Sequence, residues 1–337
     1  VNDQRARGHG QPEKTEPDVL LRVEDLSVGY RTRRGLMRAV DGVSFTLNRG
    51  RSLGLVGESG CGKTTVGMTL MGLLPPNGQV LGGRILFRGE DLLLKTEEEM
   101  RRIRWNRIAM IFQAAMNALN PVQRVQAQIA EAIRTHRPEL SEQDALKQVE
   151  GLFQLVNLPK NRMRDYPHQY SGGMKQRAII AMALSCSPDL IIADEPTTAL
   201  DVIVQHQILE ETRTLQQDLG ISILFISHDI AIVADVCHDI GVMYAGQLVE
   251  YGSREEVFGD PGHFYTQALL ASYPTITGEK RDLIPIPGET PSLVTPPAGC
   301  RFCDRCTAFE SECRLVTPAW VDLSPTHRVL CSRCLSP

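Results

Sequence analysis

Gly57-Glu58-Ser59-Gly60-Cys61-Gly62-Lys63-Thr64-Thr65 fits G-x-x-x-x-G-K-[ST], the pattern of a phosphate-binding loop. The run Ser52-Leu53-Gly54-Leu55-Val56 before it reads as a short buried strand. Val66 to Leu74 after it reads as a helix stopped by Pro75-Pro76. Strand, glycine loop and helix are the context that the motif requires. Glycines let successive backbone N–H groups turn inward around phosphate oxygens. The helix N-terminus adds a partial positive charge of ~0.5. In that arrangement Lys63 reaches the β- and γ-phosphates, and Thr64 places its hydroxyl on Mg2+. Cys61 lies inside the loop, so the helix N-terminus should acidify its thiol and bound nucleotide should shield it.

Upstream, Leu20 to Val23 and Asp25 to Tyr30 read as strand material, and Arg31 to Arg38 as a solvated hairpin tip. Ala39 to Leu47 returns as an alternating strand with Val43, Phe45 and Leu47 on one face. Antiparallel strands therefore precede the loop. Tyr30 is placed either to stack on an adenine ring or to pack on the core at a strand end.

Downstream, Gly82 to Gly89 reads as strand and turn, and Thr96 with Glu99 as the capping box of a helix. The arginines of that helix, Arg101, Arg102, Arg104 and Arg107, read as a solvated face. Ile108 to Phe112 is a short buried strand ending at Gln113, followed by an Ala- and Asn-rich stretch to Val122 that turns at Pro121. Ser141 caps a helix with Ala145, Val149, Leu152, Phe153 and Val156 on one face.

Two further sites carry chemistry. Tyr170-Ser171-Gly172-Gly173-Met174-Lys175-Gln176-Arg177 opens an Ala-rich helix running to Ser185, and a small Ser-Gly-Gly at a helix N-terminus is a second anion site. Leu190 to Ala193 is a buried strand that delivers Asp194 and Glu195 at its C-terminal end. Strand alternation should send these carboxylates to different sides, one toward a metal ion and one toward an attacking water. Ala199-Leu200-Asp201 follows, and a parallel strand from Ile221 to Ile226 ends in Ser227-His228-Asp229. Strands alternating with helices from the loop onward predict an α/β fold with a mainly parallel sheet.

Composition narrows the class. The 337 residues are 42% hydrophobic and 23% charged, as in an ordinary globular protein. A net charge of -4 exerts no general pull on nucleic acid. No apolar run reaches the ~20 residues of a membrane-spanning helix, and the polar N-terminus shows no secretory h-region. Residues 1–18 read as disordered, residues 274–299 as a Pro-, Thr- and Gly-rich extended linker. Nine cysteines is an odd number, and six of them fall after residue 299. That clustering points to a local site rather than to a disulfide framework. Spacing alone highlights Cys300-x2-Cys303-x2-Cys306, a run also found in bacterial ferredoxins.

The phosphate loop, Gln113, the Ser171-Gly172-Gly173-Met174-Lys175-Gln176-Arg177 signature, Asp194-Glu195 and His228, in this order, resemble the ATP-binding subunit of an ABC transporter. The resemblance covers Val19 to Ser272. Cys61 stands where many members carry Ser, and Tyr170 where Leu is commoner. Gly299-Cys300-Arg301-Phe302, Arg305-Cys306, Ala308, Cys313 and His327 to Cys331 look like the C-terminal extension of oligopeptide and dipeptide importer ATPases. Relatives with that extension import nickel or sugars instead. Soluble ABC ATPases that transport nothing are a further alternative; they usually carry two ATPase modules or coiled-coil insertions.

The resemblance implies an ABC-type phosphate-loop ATPase domain over residues 19–272, with a parallel sheet core, an antiparallel β subdomain and a helical subdomain. A cysteine-rich extension over residues 273–337 follows. It implies ATP held by Tyr30, by Gly57 through Thr65, and by Gln113, Asp194 and Asp201, with Ser171, Gly172 and Gly173 serving the ATP of a paired subunit. Thr64, Gln113 and Asp194 would hold Mg2+, Glu195 would polarise water, and His228 would support the γ-phosphate. Cys300, Cys306, Cys313 and Cys331 would hold a [4Fe–4S] cluster, or Zn2+ as the alternative, bracing the tail against the partner ATPase. Implied partners are a second, homologous ATPase subunit in a heterodimer, two transmembrane permeases and an extracytoplasmic solute-binding protein, with no nucleic acid. The implied location is the cytoplasmic face of the cell membrane.

Overall fold

The computed structural model describes residues 18–113, 118–198, 200–272, 284–331 and 333. The expected N-terminal disorder and part of the expected linker lie outside the described residues, as do residues 114–117, Ala199 and Cys334. Two long strands, β1 (Val19–Thr32) and β2 (Gly35–Asn48), form the hairpin expected around the basic tip. Strand β3 (Ser52–Val56) leads through the phosphate loop into helix α1 (Lys63–Leu70). Strands β4 (Gly78–Phe87) and β5 (Glu90–Asp91) complete an antiparallel sheet in the order β2-β1-β4-β5. Then come α2 (Glu97–Ile103) and β6 (Ile108–Ile111), followed by α3 (Val125–His136), α4 (Glu142–Leu155) and α5 (Gly172–Leu184).

The rest alternates strand and helix: β7 (Leu190–Asp194), α6 (Val202–Leu219), β8 (Ser222–Ser227), α7 (Ile230–Val236) and β9 (Asp239–Tyr244). Next are β10 (Gln247–Ser253), α8 (Arg254–Gly259) and α9 (Phe264–Ala271), and the tail supplies β11 (Trp320–Asp322) and β12 (Arg328–Leu330). The second sheet runs β11-β12-β10-β9-β3-β8-β7-β6. Its strands β9, β3, β8, β7 and β6 are parallel, and β10, β12 and β11 add antiparallel pairs at one edge.

Every residue of β3, β6, β7 and β8 is buried. Parallel strands covered on both faces read as continuous apolar runs, which is why these segments were visible in the sequence. One apolar cluster lies between the antiparallel sheet and the α1 side of the parallel sheet. A second joins α3, α4 and α5 to β6, with Phe153 fully buried at its centre. A third lies on the α7 side and takes in Tyr244, Tyr265 and the tail residue Phe302. The capping box at Thr96 and the Ser141 cap form as the sequence predicts.

Two boundaries differ from the sequence reading. Helix α1 begins at Lys63 rather than Val66 and ends at Leu70 rather than Leu74. Gly62 supplies its start in a left-handed conformation (φ 106°), and Leu73 and Leu74 pack against the core outside helical geometry. The tail, moreover, is not set apart from the core. Strand β12 pairs with β10 through Glu250↔Val329 and Tyr251↔Arg328. The Arg328 guanidinium lies 4.6 Å from the Trp320 ring centre.

The fully buried carboxylate of Glu250 fastens this junction. It accepts the backbone N–H groups of Gly262 (2.8 Å) and His263 (2.9 Å) and the His327 Nε2 contact at 2.7 Å. The Glu250 hydrogen bond raises the His327 pKa above 6.5. A folded value above the unfolded one means that the stabilisation is complete below pH ~6.5 and fades as pH rises through the folded value. Replacing His327 by Gln should therefore lower the thermal midpoint most near pH 6, and the gap to the native chain should narrow toward pH 9. Parallel melting curves across that range measure it; a gap that widens with pH would contradict the assignment.

Candidate functional site

Backbone crowding shapes the loop. A Cβ at Gly57 (φ 148°) would lie 2.0 Å from the Met243 carbonyl oxygen of β9. A Cβ at Gly62 (φ 106°) would lie 2.2 Å from the Ala39 carbonyl oxygen of β2. Only glycine fits at either position. Between them Ser59 and Gly60 are exposed at the crown. Lys63 is 6% exposed and folds back over the loop, its Nζ donating to Gly57 O (2.6 Å) and Glu58 O (3.0 Å). An ammonium held by two loop carbonyls is positioned over the concave face where an anion would replace them.

Cys61 does not carry the acidic thiol expected. It is buried, and burial pushes the thiol pKa up despite the neighbouring Lys63. Desolvation of the thiolate outweighs the pull of the helix N-terminus. Tyr30 is half-buried at the end of its strand pairing; its hydroxyl lies 3.1 Å from Thr65 Oγ1, and its ring covers Gly78. It thus borders the loop while packing on its own sheet.

The carboxylate pair separates by a different device from strand alternation. Asp194 is the last residue of β7 and is 1% exposed, with Oδ1 accepting the Thr64 hydroxyl at 3.1 Å. Burial pushes its pKa up to about 6, against the Thr64 hydrogen bond. Glu195 lies beyond the strand with φ 50°, a left-handed conformation uncommon for a residue bearing a side chain. Its N–H still donates to Ile226 O (2.8 Å), so the twist is locked onto β8. The turned side chain meets the next strand end: Oε1 lies 2.6 Å from His228 Nδ1, and Oε2 accepts the Thr198 hydroxyl at 3.0 Å. Gln113 is exposed just past β6. Asp194, Glu195, Gln113 and His228 therefore sit at the C-terminal ends of β7, β6 and β8, on the edge where β3 delivers the loop. That is where open α/β sheets place ligands.

The Ser-Gly-Gly turn lies elsewhere, in the helical layer. Ser171 caps α5 through Met174 N–H, and Ser171 and Gly172 are exposed. Among the described residues no hydrogen bond joins this turn to the phosphate loop. Gly173 passes close to α6, where a Cβ would meet Val204 at 2.8 Å, and Arg177 forks onto Glu211 (2.9 and 2.8 Å). Asp201 caps α6 and is followed by Val202 and Ile203, 81% and 80% exposed.

The sequence reading missed a contact from the far end of the chain. Glu58 N–H donates to the Tyr265 hydroxyl (2.9 Å), and the Glu58 carboxylate receives the Arg305 guanidinium. Arg305 had stood out only as a neighbour of Cys306. In the tail, Cys300, Cys303, Cys306, Cys313 and Cys331 line one small cavity of about 20 Å³. Cys300, Cys303, Cys306 and Cys313 are free thiols, and burial pushes Cys300 up to about 12. Among the described residues no three Cys, His, Asp or Glu side chains stand in a metal-ligating group. Thiolate sulfur is a donor for Zn2+ and iron–sulfur clusters, but the described thiols are not drawn together into a ligand set here.

Comparison with known proteins follows the same lines. A family model described as "ABC transporter" matches residues 40–198, and one described as "Oligopeptide/dipeptide transporter, C-terminal region" matches residues 249–313. The chain is 45% identical over 317 residues to the dipeptide transport ATP-binding protein DppD of Bacillus subtilis, covering 93% of this chain and 94% of that one. It is 42% identical over 305 residues to the oligopeptide transport ATP-binding protein OppD of Escherichia coli, covering 90% of each. Among solved structures, cbiO1 of Clostridium perfringens, part of an ABC transporter complex, superposes with a TM-score of 0.63 at 28% identity, covering 72% of this chain and 92% of that one. The dimeric ATP-binding cassette MJ0796 bound to ADP and Pi matches in fold, with a TM-score of 0.62 at 22% identity, covering 69% of this chain and 98% of that one.

Asp194 permits a thermodynamic check. Its folded pKa of about 6 exceeds the ordinary 3.8, so burial favours the protonated form. Its contribution is whole below pH 3.8 and is lost as pH rises through about 6. Two units correspond to about 3 kcal/mol at full ionisation. In magnesium-free, nucleotide-free protein at pH 8, Asp194→Asn should raise the denaturation midpoint, and the gain should vanish near pH 4. Chemical denaturation at the two pH values measures it; a variant less stable than the native chain at pH 8 would refute the buried-anion reading.

Proposed function

The chain belongs to the family of ABC transporter ATP-binding proteins that includes the dipeptide and oligopeptide transport subunits, and from that membership we propose that it powers uptake of di- or oligopeptides by hydrolysing ATP. The carrying observation is the convergence of Lys63, Thr64, Asp194, Glu195 and His228 at the C-terminal edge of the parallel sheet. Lys63 exchanges the carbonyls of Gly57 and Glu58 for phosphate oxygens. The loop N–H groups and the N-terminus of α1 hold the remaining phosphate charge. Thr64, Asp194 and Gln113 are the residues to hold Mg2+, which neutralises charge on the β- and γ-phosphates when bound. Glu195 orients and polarises the attacking water, and His228 fixes the Glu195 carboxylate through the 2.6 Å contact. The work is positioning and charge stabilisation rather than covalent chemistry.

One chain supplies half of each composite site. Exposed Ser171 and Gly172, and Asp201 beside exposed Val202 and Ile203, are suited to meet the nucleotide and the surface of a second, homologous ATPase subunit. Permeases and an extracytoplasmic solute-binding protein complete the importer. Among the described residues no helix is long and apolar enough to cross a membrane. Membership of the family of transport ATP-binding proteins supports a place at the cytoplasmic face, docked on the permeases. Residues 19–272 form the ATPase and residues 273–337 the extension. In that extension Cys300, Cys306, Cys313 and Cys331 hold a [4Fe–4S] cluster. The support is their convergence on one cavity beside Cys303, and the stability that a bound metal lends to a segment with little core of its own.

Two measurements test these assignments. Glu195→Gln should lower ATP turnover of the assembled transporter by about 10²–10⁴ while ATP still binds, as expected on removal of a general base. Native turnover would remove Glu195 from that role. Anaerobically purified protein should be brown, absorb near ~400 nm and contain about four irons per chain, and Cys313→Ser should lose the iron. One zinc per chain without iron would replace the cluster by a zinc site.

A further inference from the structure

The phosphate loop is gripped from the tail by two buried arginines four positions apart. Arg305 lies in the one-turn 3-10 segment Cys303–Arg305, and its side chain is 6% exposed. Nη1 and Nη2 form a fork on the Glu58 carboxylate at 2.7 and 2.8 Å, Nε donates to Pro287 O at 2.7 Å, and Nη1 also reaches the Tyr244 hydroxyl at 3.2 Å. The guanidinium stands 5.6 Å from the Tyr244 ring centre, and Tyr244 packs against Tyr265 and Phe302. Arg301 donates to Ala245 O (2.5 Å) and pairs with Asp41. The N–H of Gly246, next to Ala245, donates to Cys61 O at 2.9 Å. The two arginines thus bear on both limbs of the loop, at Glu58 and, through Gly246, at Cys61.

Glu58 is held at every polar group. Its N–H goes to Tyr265, its carbonyl takes Lys63 Nζ, and its carboxylate takes Arg305. The carbonyl that seats Lys63 is therefore placed by a side chain of the tail. We infer that Arg305 is a positioning residue of the ATP site, acting through Glu58 to hold the phosphate loop in binding geometry and to seat Lys63 until phosphate oxygens replace the loop carbonyls. The inference rests on the reading of Gly57–Thr65 as that site. A forked guanidinium–carboxylate pair fixes orientation as well as distance. Removing one member of a half-buried pair does two things. It frees the Glu58 segment, and it leaves an uncompensated carboxylate beside a site that must take a triphosphate. Both act on nucleotide binding more than on the attack of water.

The test is a double-mutant cycle in the assembled transporter, reading KM and kcat for ATP separately and the Kd of a fluorescent ATP analogue for the subunit. Arg305→Met should raise KM and Kd about tenfold with kcat changed less than twofold. Arg305→Lys should recover part of the loss, since it keeps the charge without the fork. Glu58→Gln should have a smaller effect than Arg305→Met: the guanidinium it leaves without a carboxylate still bonds the Pro287 carbonyl and the Tyr244 hydroxyl, and its charge attracts the triphosphate where an uncompensated Glu58 would repel it. Combining Glu58→Gln with Arg305→Met should add little to Glu58→Gln alone. Additive losses, or an Arg305→Met protein that binds like the native one, would overturn the inference. Should Arg305→Met fail to fold, Glu58→Gln decides alone: unchanged KM and Kd would overturn it. Lys63→Ala separates this from the underlying reading. If it abolishes binding while the Arg305 and Glu58 variants bind normally, only the positioning role falls; if it binds normally, the site itself has been misplaced.

Discussion

Two backbone carbonyls press on the phosphate loop from opposite sides, Ala39 O from the antiparallel sheet and Met243 O from the parallel one. Much else follows from that squeeze. Gly57 and Gly62 must be glycine because side chains would occupy the space those carbonyls fill. The loop cannot shift without moving β2 and β9, and β9 is bound on one side to β3 and on the other to β10. Rigidity at the loop is thereby shared with both sheets. A site that must distinguish a triphosphate by backbone N–H geometry gains from such sharing, since each amide is already aimed before the ligand arrives.

The helical layer obeys a different constraint. Phe153, Ile129 and Ile133 give it a core of its own, tied to the parallel sheet chiefly along α5 and β6. Ser171 and Gly172 of its Ser-Gly-Gly turn face solvent, while the carboxylates and the loop share the sheet edge. A chain built in this way keeps its two anion-binding elements apart. In the proposed pairing, a second molecule brings its Ser171 turn over this Lys63 loop.

What the sequence revealed divides along physical lines. Strands β3, β6, β7 and β8 were legible because burial on both faces leaves continuous apolar runs, and the capped helices were legible from Thr96 and Ser141. Strands β9 and β10 and helices α8 and α9 were passed over, since no motif marks them. The separate directions of Asp194 and Glu195 were anticipated, but their cause was not: a left-handed φ at Glu195, held by Ile226 O, does what alternation was expected to do. Cys61 was misjudged because helix-end electrostatics can be read from position, whereas burial of the thiol depends on packing. The Arg305–Glu58 fork was invisible for the simplest reason. Nothing local relates two residues 247 positions apart.

That separation also orders events in time. Residues leave the ribosome at roughly 5–20 per second, N-terminus first. The loop is therefore complete roughly 10–50 s before the arginine that pins it is synthesised. Strand β10 waits similarly for β12, with that edge unpaired until Arg328 and Val329 emerge. A nascent chain arrested in the linker would carry the whole nucleotide motif, yet with an unpinned Glu58 and an open sheet edge. Full affinity for ATP and protection from edge-to-edge association would then arrive close together, once Arg305 and β12 have been made.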